Sequence, residues 1–331
     1  MISKALTRAR ATAADTAARP PRPTADATVH DLSIVIVSYN TRELLLQCLA
    51  SIRSQETSLS YEVIVVDNHS SDGSAEAVRR DYPEVRLIES SSNVGFSVAN
   101  NAAIDLATGR FVLLLNSDTF LVSDVLDRMV EKMREEPEVG IAGCRLIRPS
   151  GEMDLACRRS FPTPLVSLSR FLRLNRIFPK HRLCGRYNLT YLDEKGTYEV
   201  DSIVGAFMLV RREVIDRLGA LDEDYFMYGE DVDWCYRIKD RGWKVLYVGD
   251  CVTYHHKGAS SRKLGHRNRD LVRVSLVRLS PGINPPIRVK VVRLNTGGSV
   301  SQIKVVTELP VSTLDPWKRT AHGEHKTGGI L

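Results

Sequence analysis

The chain has 331 residues, 43% of them apolar and 26% charged, with a formal net charge of +6. This is an ordinary globular composition, enough for one large or two modest domains around a buried core. No apolar run approaches the ~18 to 20 residues that cross a bilayer. The six cysteines (Cys48, Cys144, Cys157, Cys184, Cys235, Cys251) show neither CxxC spacing nor a disulfide framework, so reduced thiols in a cytosolic setting are expected.

Residues 1–30 are rich in Ala, Arg, Thr and Pro without an apolar signal core, and read as a disordered basic arm. Two apolar runs follow, Ser33-Ile-Val-Ile-Val-Ser-Tyr-Asn40 and Tyr61-Glu-Val-Ile-Val-Val-Asp-Asn68, each ending in polar residues. Between them Leu44, Leu45, Cys48, Leu49 and Ile52 recur at helical spacing over Arg42 to Arg53, and a second helix starts at Ser74. A third run, Arg110-Phe-Val-Leu-Leu-Leu, ends in Asn116-Ser117-Asp118.

Strands alternating with helices predict βαβ units and a mostly parallel sheet. The carboxyl ends of such strands face the ligand crevice, which makes Asp118 a candidate metal ligand. A helix over about residues 124–136 should stop before Pro137, and the nucleotide half should end near residue 120. The second half predicts a strand over residues 200–210 and helices over 212–218 and 230–241, the last stopped by Gly242.

The positive charge is concentrated. Residues 158–186 hold eight Arg or Lys and no acid, and residues 262–293 hold nine against the single acid Asp270. Over residues 164–178, Arg170, Arg173 and Arg176 interleave with Leu168, Phe171, Leu172, Ile177 and Phe178. As a helix this segment is basic and amphipathic, suited to an anionic membrane surface, with an ordinary packed helix as the alternative. No nucleic-acid motif accompanies the charge, so no nucleic-acid partner is expected.

In order along residues 32–262, several segments carry a resemblance: Ser38-Tyr39-Asn40, Val65-Val-Asp-Asn-His-Ser-Ser-Asp-Gly-Ser74, Asn93-Val-Gly-Phe-Ser-Val-Ala-Asn-Asn101 and Asn116-Ser-Asp118. They continue with Arg158-Arg159-Ser-Phe-Pro162, Gly205-Ala-Phe-Met208, Asp222 to Trp234 and His255-His-Lys-Gly-Ala-Ser260. The set resembles the family 2 glycosyltransferases with the GT-A fold, and more narrowly their bacterial rhamnosyltransferase-like branch. That resemblance implies a Rossmann-like α/β domain over residues 31–270, with a nucleotide-binding half (31–120) and an acceptor half (121–270). Residues 271–331 fall outside it as a tail of uncertain character.

The resemblance also implies roles. Asp67 would contact the nucleotide base, and Ser38, Tyr39, Asn40, Asn93, Gly95, Asn100, Asn116, Ser117 and Arg159 the rest of the nucleotide sugar. Gly95 would allow close backbone approach to the ligand, and Arg159 would reach a phosphate. Asn100 could instead satisfy backbone groups. Asp118 and His255 would hold Mn²⁺ or Mg²⁺ against the diphosphate. Gly205, Ala206 and Glu230 would meet the acceptor, and Asp231 would be the general base of an inverting displacement.

The expected function is transfer of L-rhamnose from dTDP-rhamnose to a lipid-diphosphate-linked saccharide, in cell-wall or surface-polysaccharide assembly. The enzyme would be cytoplasmic and peripheral at the inner face of the cell membrane. The alternatives are another donor, such as a UDP-hexose or galactofuranose, or a non-catalytic sugar-nucleotide or membrane-binding protein.

Overall fold

The computed structural model describes residues 30–122, 124–163, 165, 166, 169 and 172–256, together with three strands further on, 274–276, 288–294 and 302–308. The amino-terminal arm up to residue 29, residues 164, 167, 168, 170 and 171 of the predicted helix over residues 164–178, and the Lys257–Ser260 part of the last motif lie outside the described residues.

Strand β1 (His30–Ser38) lies inside the sheet, paired in parallel with β2 (Tyr61–Asp67) on one side and β4 (Gly109–Asn116) on the other. A parallel strand covered on both faces is a continuous hydrophobic run, and Ile34, Val35 and Ile36 are fully buried. β3 (Arg86–Glu89) extends the parallel part beyond β2. The crossovers are α1 (Arg42–Arg53), α2 (Ser74–Asp81) and α3 (Phe96–Ile104). α1 turns Leu45, Cys48, Leu49 and Ile52 inward, at the spacing that predicted it.

Register brings the carboxyl ends of these strands level. Ser38 stands opposite Asp67, and Val37 opposite Asn116, so three polar strand ends share one rim.

The second half completes the sheet in mixed orientation with β5 (Thr119–Leu121), β6 (Val139–Ile147), β7 (Thr197–Glu199), β8 (Phe207–Arg211) and β9 (Lys244–His255). Among the described residues the order is β3-β2-β1-β4-β8-β6-β9-β5, with β7 beside β9. α4 (Val125–Glu135), α6 (Arg212–Leu218) and α7 (Glu230–Asp240) flank it, and the short α5 (Leu174–Ile177) lies apart in the basic segment. The strand predicted over residues 200–210 is shorter than expected, because residues 200–206 form a buried connection that meets Arg159 and reaches the rim before β8 begins. Further along the chain, β10 (Val274–Leu276), β11 (Arg288–Leu294) and β12 (Gln302–Glu308) form an antiparallel sheet.

All six cysteines are unpaired thiols. No helix among the described residues is long and apolar enough to cross a membrane.

Candidate functional site

The level strand ends form the floor of a cleft of about 270 Å³, near the lower end of small-molecule sites. Tyr39, Asn93, Gly95, Asn116, Ser117, Asp118, Gly205, Ala206, Glu230, Asp231 and His255 all line it, so most residues singled out in the sequence converge.

Asp118 and His255 meet because β5 pairs antiparallel with β9, placing Thr119 opposite His255. His255 Nε2 lies 3.3 Å from Asp118 Oδ1, and His256 N–H donates to the Asp118 carbonyl at 2.8 Å. Behind the ring, His255 Nδ1 is 3.6 Å from Asp154 Oδ2. Burial alone would lower the imidazole's pKa, but the two carboxylates outweigh it and hold the ring above its ordinary value.

The donor set suits a hard divalent cation. Adjacent ligands of an octahedral ion with ~2.0 to 2.1 Å bonds stand about 3 Å apart, close to the separation of these two atoms. Among the described residues no group of three or more His, Cys, Asp or Glu is arranged to hold a metal. Asp118 and His255 would therefore supply two ligands and leave the others to water or substrate oxygens.

Asp231 and Glu230 open α7 at a wall of the cleft, with Gly229 preceding them in the left-handed region (φ 98°). Asp231 Oδ2 accepts from Arg159 Nη2 at 2.6 Å, and Asp231 Oδ1 accepts from Val232 N–H at 2.8 Å. The same arginine nitrogen donates to the Ile203 carbonyl at 2.6 Å. Arg159 was expected at a phosphate; it is instead held behind the proposed base, with its backbone paired to Ser202. Burial opposes its charge, but the Asp231 carboxylate prevails and raises its pKa above the usual arginine range. Burial, reinforced by the neighbouring Asp231 charge, pushes the Glu230 carboxyl up to about 8. The wall thus presents a carboxylate paired with arginine beside a carboxyl whose charged form burial and the Asp231 charge both disfavour.

Other expectations are placed differently. Asn100 does not reach the cleft: its amide donates to the Phe96 carbonyl one turn back at 2.8 Å. Gly95 (φ 87°) is needed for closeness to the chain itself, since a Cβ there would lie 2.6 Å from the Phe226 carbonyl. Ser38 sits below the rim, where its hydroxyl meets Thr41 Oγ1 at 3.0 Å, which in turn meets Ser117 Oγ at 2.9 Å. Asn40 braces the neighbouring loop by accepting from Ser71 N–H at 2.8 Å. Asp67 Oδ2 accepts from Ser70 N–H at 2.9 Å, while its buried Oδ1 has no hydrogen-bond partner.

Sequence reasoning passed over Asn68, whose side chain donates to Asn93 Oδ1 (3.0 Å) and accepts from Val94 N–H (3.0 Å), fixing the glycine loop. Its place beside Asp67 was the available signal. It also passed over Tyr228, a half-exposed aromatic at the cleft with φ 69°, a conformation that is costly for a bulky side chain.

Comparison with known proteins identifies the family. The family description "Glycosyl transferase family 2" matches residues 33–219. The N-acetylglucosaminyl-diphospho-decaprenol L-rhamnosyltransferase of Mycobacterium tuberculosis is 30% identical over 241 residues, covering 70% of this chain and 77% of that protein. The low-salt glycan biosynthesis hexosyltransferase Agl10 of Haloferax volcanii is 28% identical over 225 residues, covering 67% of this chain and 64% of that protein. Among solved structures, GalNAc-T7 with UDP, GalNAc and Mn²⁺ superposes with a TM-score of 0.51 at 16% identity, covering 69% of this chain and 44% of that one, a likeness of fold.

Proposed function

The chain belongs to glycosyl transferase family 2, and on that premise we propose that it transfers L-rhamnose from dTDP-rhamnose to a lipid-diphosphate-linked saccharide, with inversion at the anomeric carbon. The observation that carries this reading is the convergence, in one cleft, of Asp118 and His255 with Asp231 and Glu230. The rhamnosyl donor and the lipid-linked acceptor are supported by the likeness to the mycobacterial rhamnosyltransferase.

Each side chain has a task. The buried, unsatisfied Asp67 Oδ1 suits the N3–H of a pyrimidine base, whose hydrogen bond would end the cost of leaving that oxygen unmatched. A Mn²⁺ or Mg²⁺ ion held by Asp118 and His255 would neutralise charge on the leaving diphosphate. Asp231 takes the proton of the acceptor hydroxyl as that oxygen bonds to the anomeric carbon and the diphosphate departs from the opposite face. Arg159 holds Asp231 in place, and Glu230, whose neutral form burial favours, would donate a hydrogen bond to a sugar hydroxyl. A single displacement needs no covalent enzyme intermediate.

An acceptor carried on a lipid calls for a membrane surface. Leu165, Leu172, Ile177, Phe178 and Leu183 are exposed in the same segment as Arg173, Arg176, Lys180, Arg182 and Arg186. Apolar side chains that enter the interface and cations that meet anionic headgroups support peripheral attachment at the inner face of the cell membrane.

The test is incubation with Mn²⁺ or Mg²⁺, a panel of dTDP- and UDP-sugars and a membrane lipid extract, scoring nucleotide release against Asp231→Asn. Release with dTDP-rhamnose alone, lost in the variant, is the expected result. Turnover with a UDP-sugar instead would overturn the donor, and nucleotide binding without turnover for any donor would overturn the catalytic reading.

A further inference from the structure

We propose that Asp154 is a positioning residue that sets the ring of His255 for cation binding beside Asp118. This rests on reading Asp118 and His255 as the cation's ligands. Asp154 is completely buried, and it lies away from the cleft that Asp118 and His255 line.

Its carboxylate is itself anchored. Oδ1 accepts from Arg148 Nη2 at 2.8 Å and from Ala156 N–H at 3.1 Å, and the backbone N–H donates to the Leu146 carbonyl at 2.7 Å. Oδ2 is left facing His255 Nδ1 at 3.6 Å, while Nε2 on the opposite side of the ring is 3.3 Å from Asp118. The imidazole therefore stands between a carboxylate in the cleft and a carboxylate behind it.

A neutral imidazole can ligate only through the nitrogen that lacks a proton. A carboxylate at Nδ1 keeps the proton there and leaves the Nε2 lone pair to the cleft, the usual division between a metal-ligating histidine and its outer partner. Arg148 balances the buried Asp154 charge, so the carboxylate can act on the ring without being left uncompensated.

The test is Mn²⁺ titration of the full chain by electron paramagnetic resonance, with dTDP present, for wild type, Asp154→Asn and His255→Ala. Asp154→Asn should weaken Mn²⁺ binding by about 10- to 100-fold, with dTDP affinity in metal-free buffer unchanged. If His255→Ala weakens Mn²⁺ binding and Asp154→Asn does not, the role of Asp154 is overturned and the ligand reading stands. If His255→Ala binds Mn²⁺ like wild type, or wild type binds none, the ligand reading falls and this inference with it. Should Asp154→Asn fail to fold, imidazole ¹⁵N spectra of wild type with Mg²⁺ and dTDP decide the matter: a proton on Nδ1 of His255 is expected, and a proton on Nε2 overturns the proposal.

Discussion

Arg159 and Asp231 form a nearly buried ion pair at 2.6 Å, their side chains only 11% and 9% exposed. Removing one partner of such a pair leaves a desolvated charge without compensation. Arg159→Met should therefore cost about 3 to 5 kcal/mol of stability, read as a lower urea midpoint. Arg159→Lys should recover part of that loss, because a point charge cannot hold both Asp231 and the Ile203 carbonyl as the guanidinium does.

Asp231→Asn keeps the shape of the wall and removes the proton acceptor. Turnover should fall by about 10²- to 10⁴-fold, while dTDP affinity, measured by calorimetry, stays close to that of wild type. A variant with near-normal turnover would exclude Asp231 as the base.

Glu230 predicts a pH dependence of stability. Its carboxyl rises from an ordinary 4.5 to about 8 on folding, so the folded state holds a proton that the unfolded chain releases first. The neutral acid contributes stability that is fully present below pH 4.5 and is lost as pH rises through the folded value. Urea unfolding at pH 5, 6.5 and 8 should show this decline, and Glu230→Gln, which stays neutral, should flatten it.

Two glycines in the cleft should respond differently to alanine. Gly95→Ala places a Cβ on the Phe226 carbonyl in a backbone conformation that disfavours it, at a cost on the order of 2 kcal/mol or more. Gly205→Ala meets the Phe96 ring at 3.5 Å, an ordinary contact, and should unfold like wild type. Thermal melts of the two variants side by side check this contrast.

Membrane attachment can be read without substrate. Ile177→Ser with Phe178→Ser should reduce sedimentation with vesicles containing phosphatidylglycerol by several-fold, and binding by wild type should weaken as salt rises. Equal sedimentation of the double variant would exclude this segment as the contact.

The sequence was most legible where structure is local. The apolar runs of β1, β2 and β4 are buried central strands, and α1 and α6 keep the predicted limits because helical spacing lies within each segment. Long-range partners left no such trace. Nothing near Arg159 signals that it meets Asp231, 72 positions away, or near Gly95 that Phe226 crowds it. The connection over residues 200–206 is apolar enough to read as strand, yet its backbone is taken up by Arg159 and the cleft rim. Asn100 carried a ligand-like motif, but its bond to Phe96 is an intrahelical one.

The pairing of β5 with β9 decides between two adjacent histidines. Side chains alternate across a strand, and here His255 is buried toward Asp118 while Tyr254 and His256 point outward. Sliding β9 by a single position would exchange an imidazole in the cleft for a phenol or for the other imidazole, and would turn every neighbouring side chain over with it. The identity of the residue beside Asp118 is thus a matter of parity, fixed by backbone pairing. An insertion of one residue in β9 ahead of Tyr254 would leave both histidines in the chain and still put a phenol where the imidazole stands.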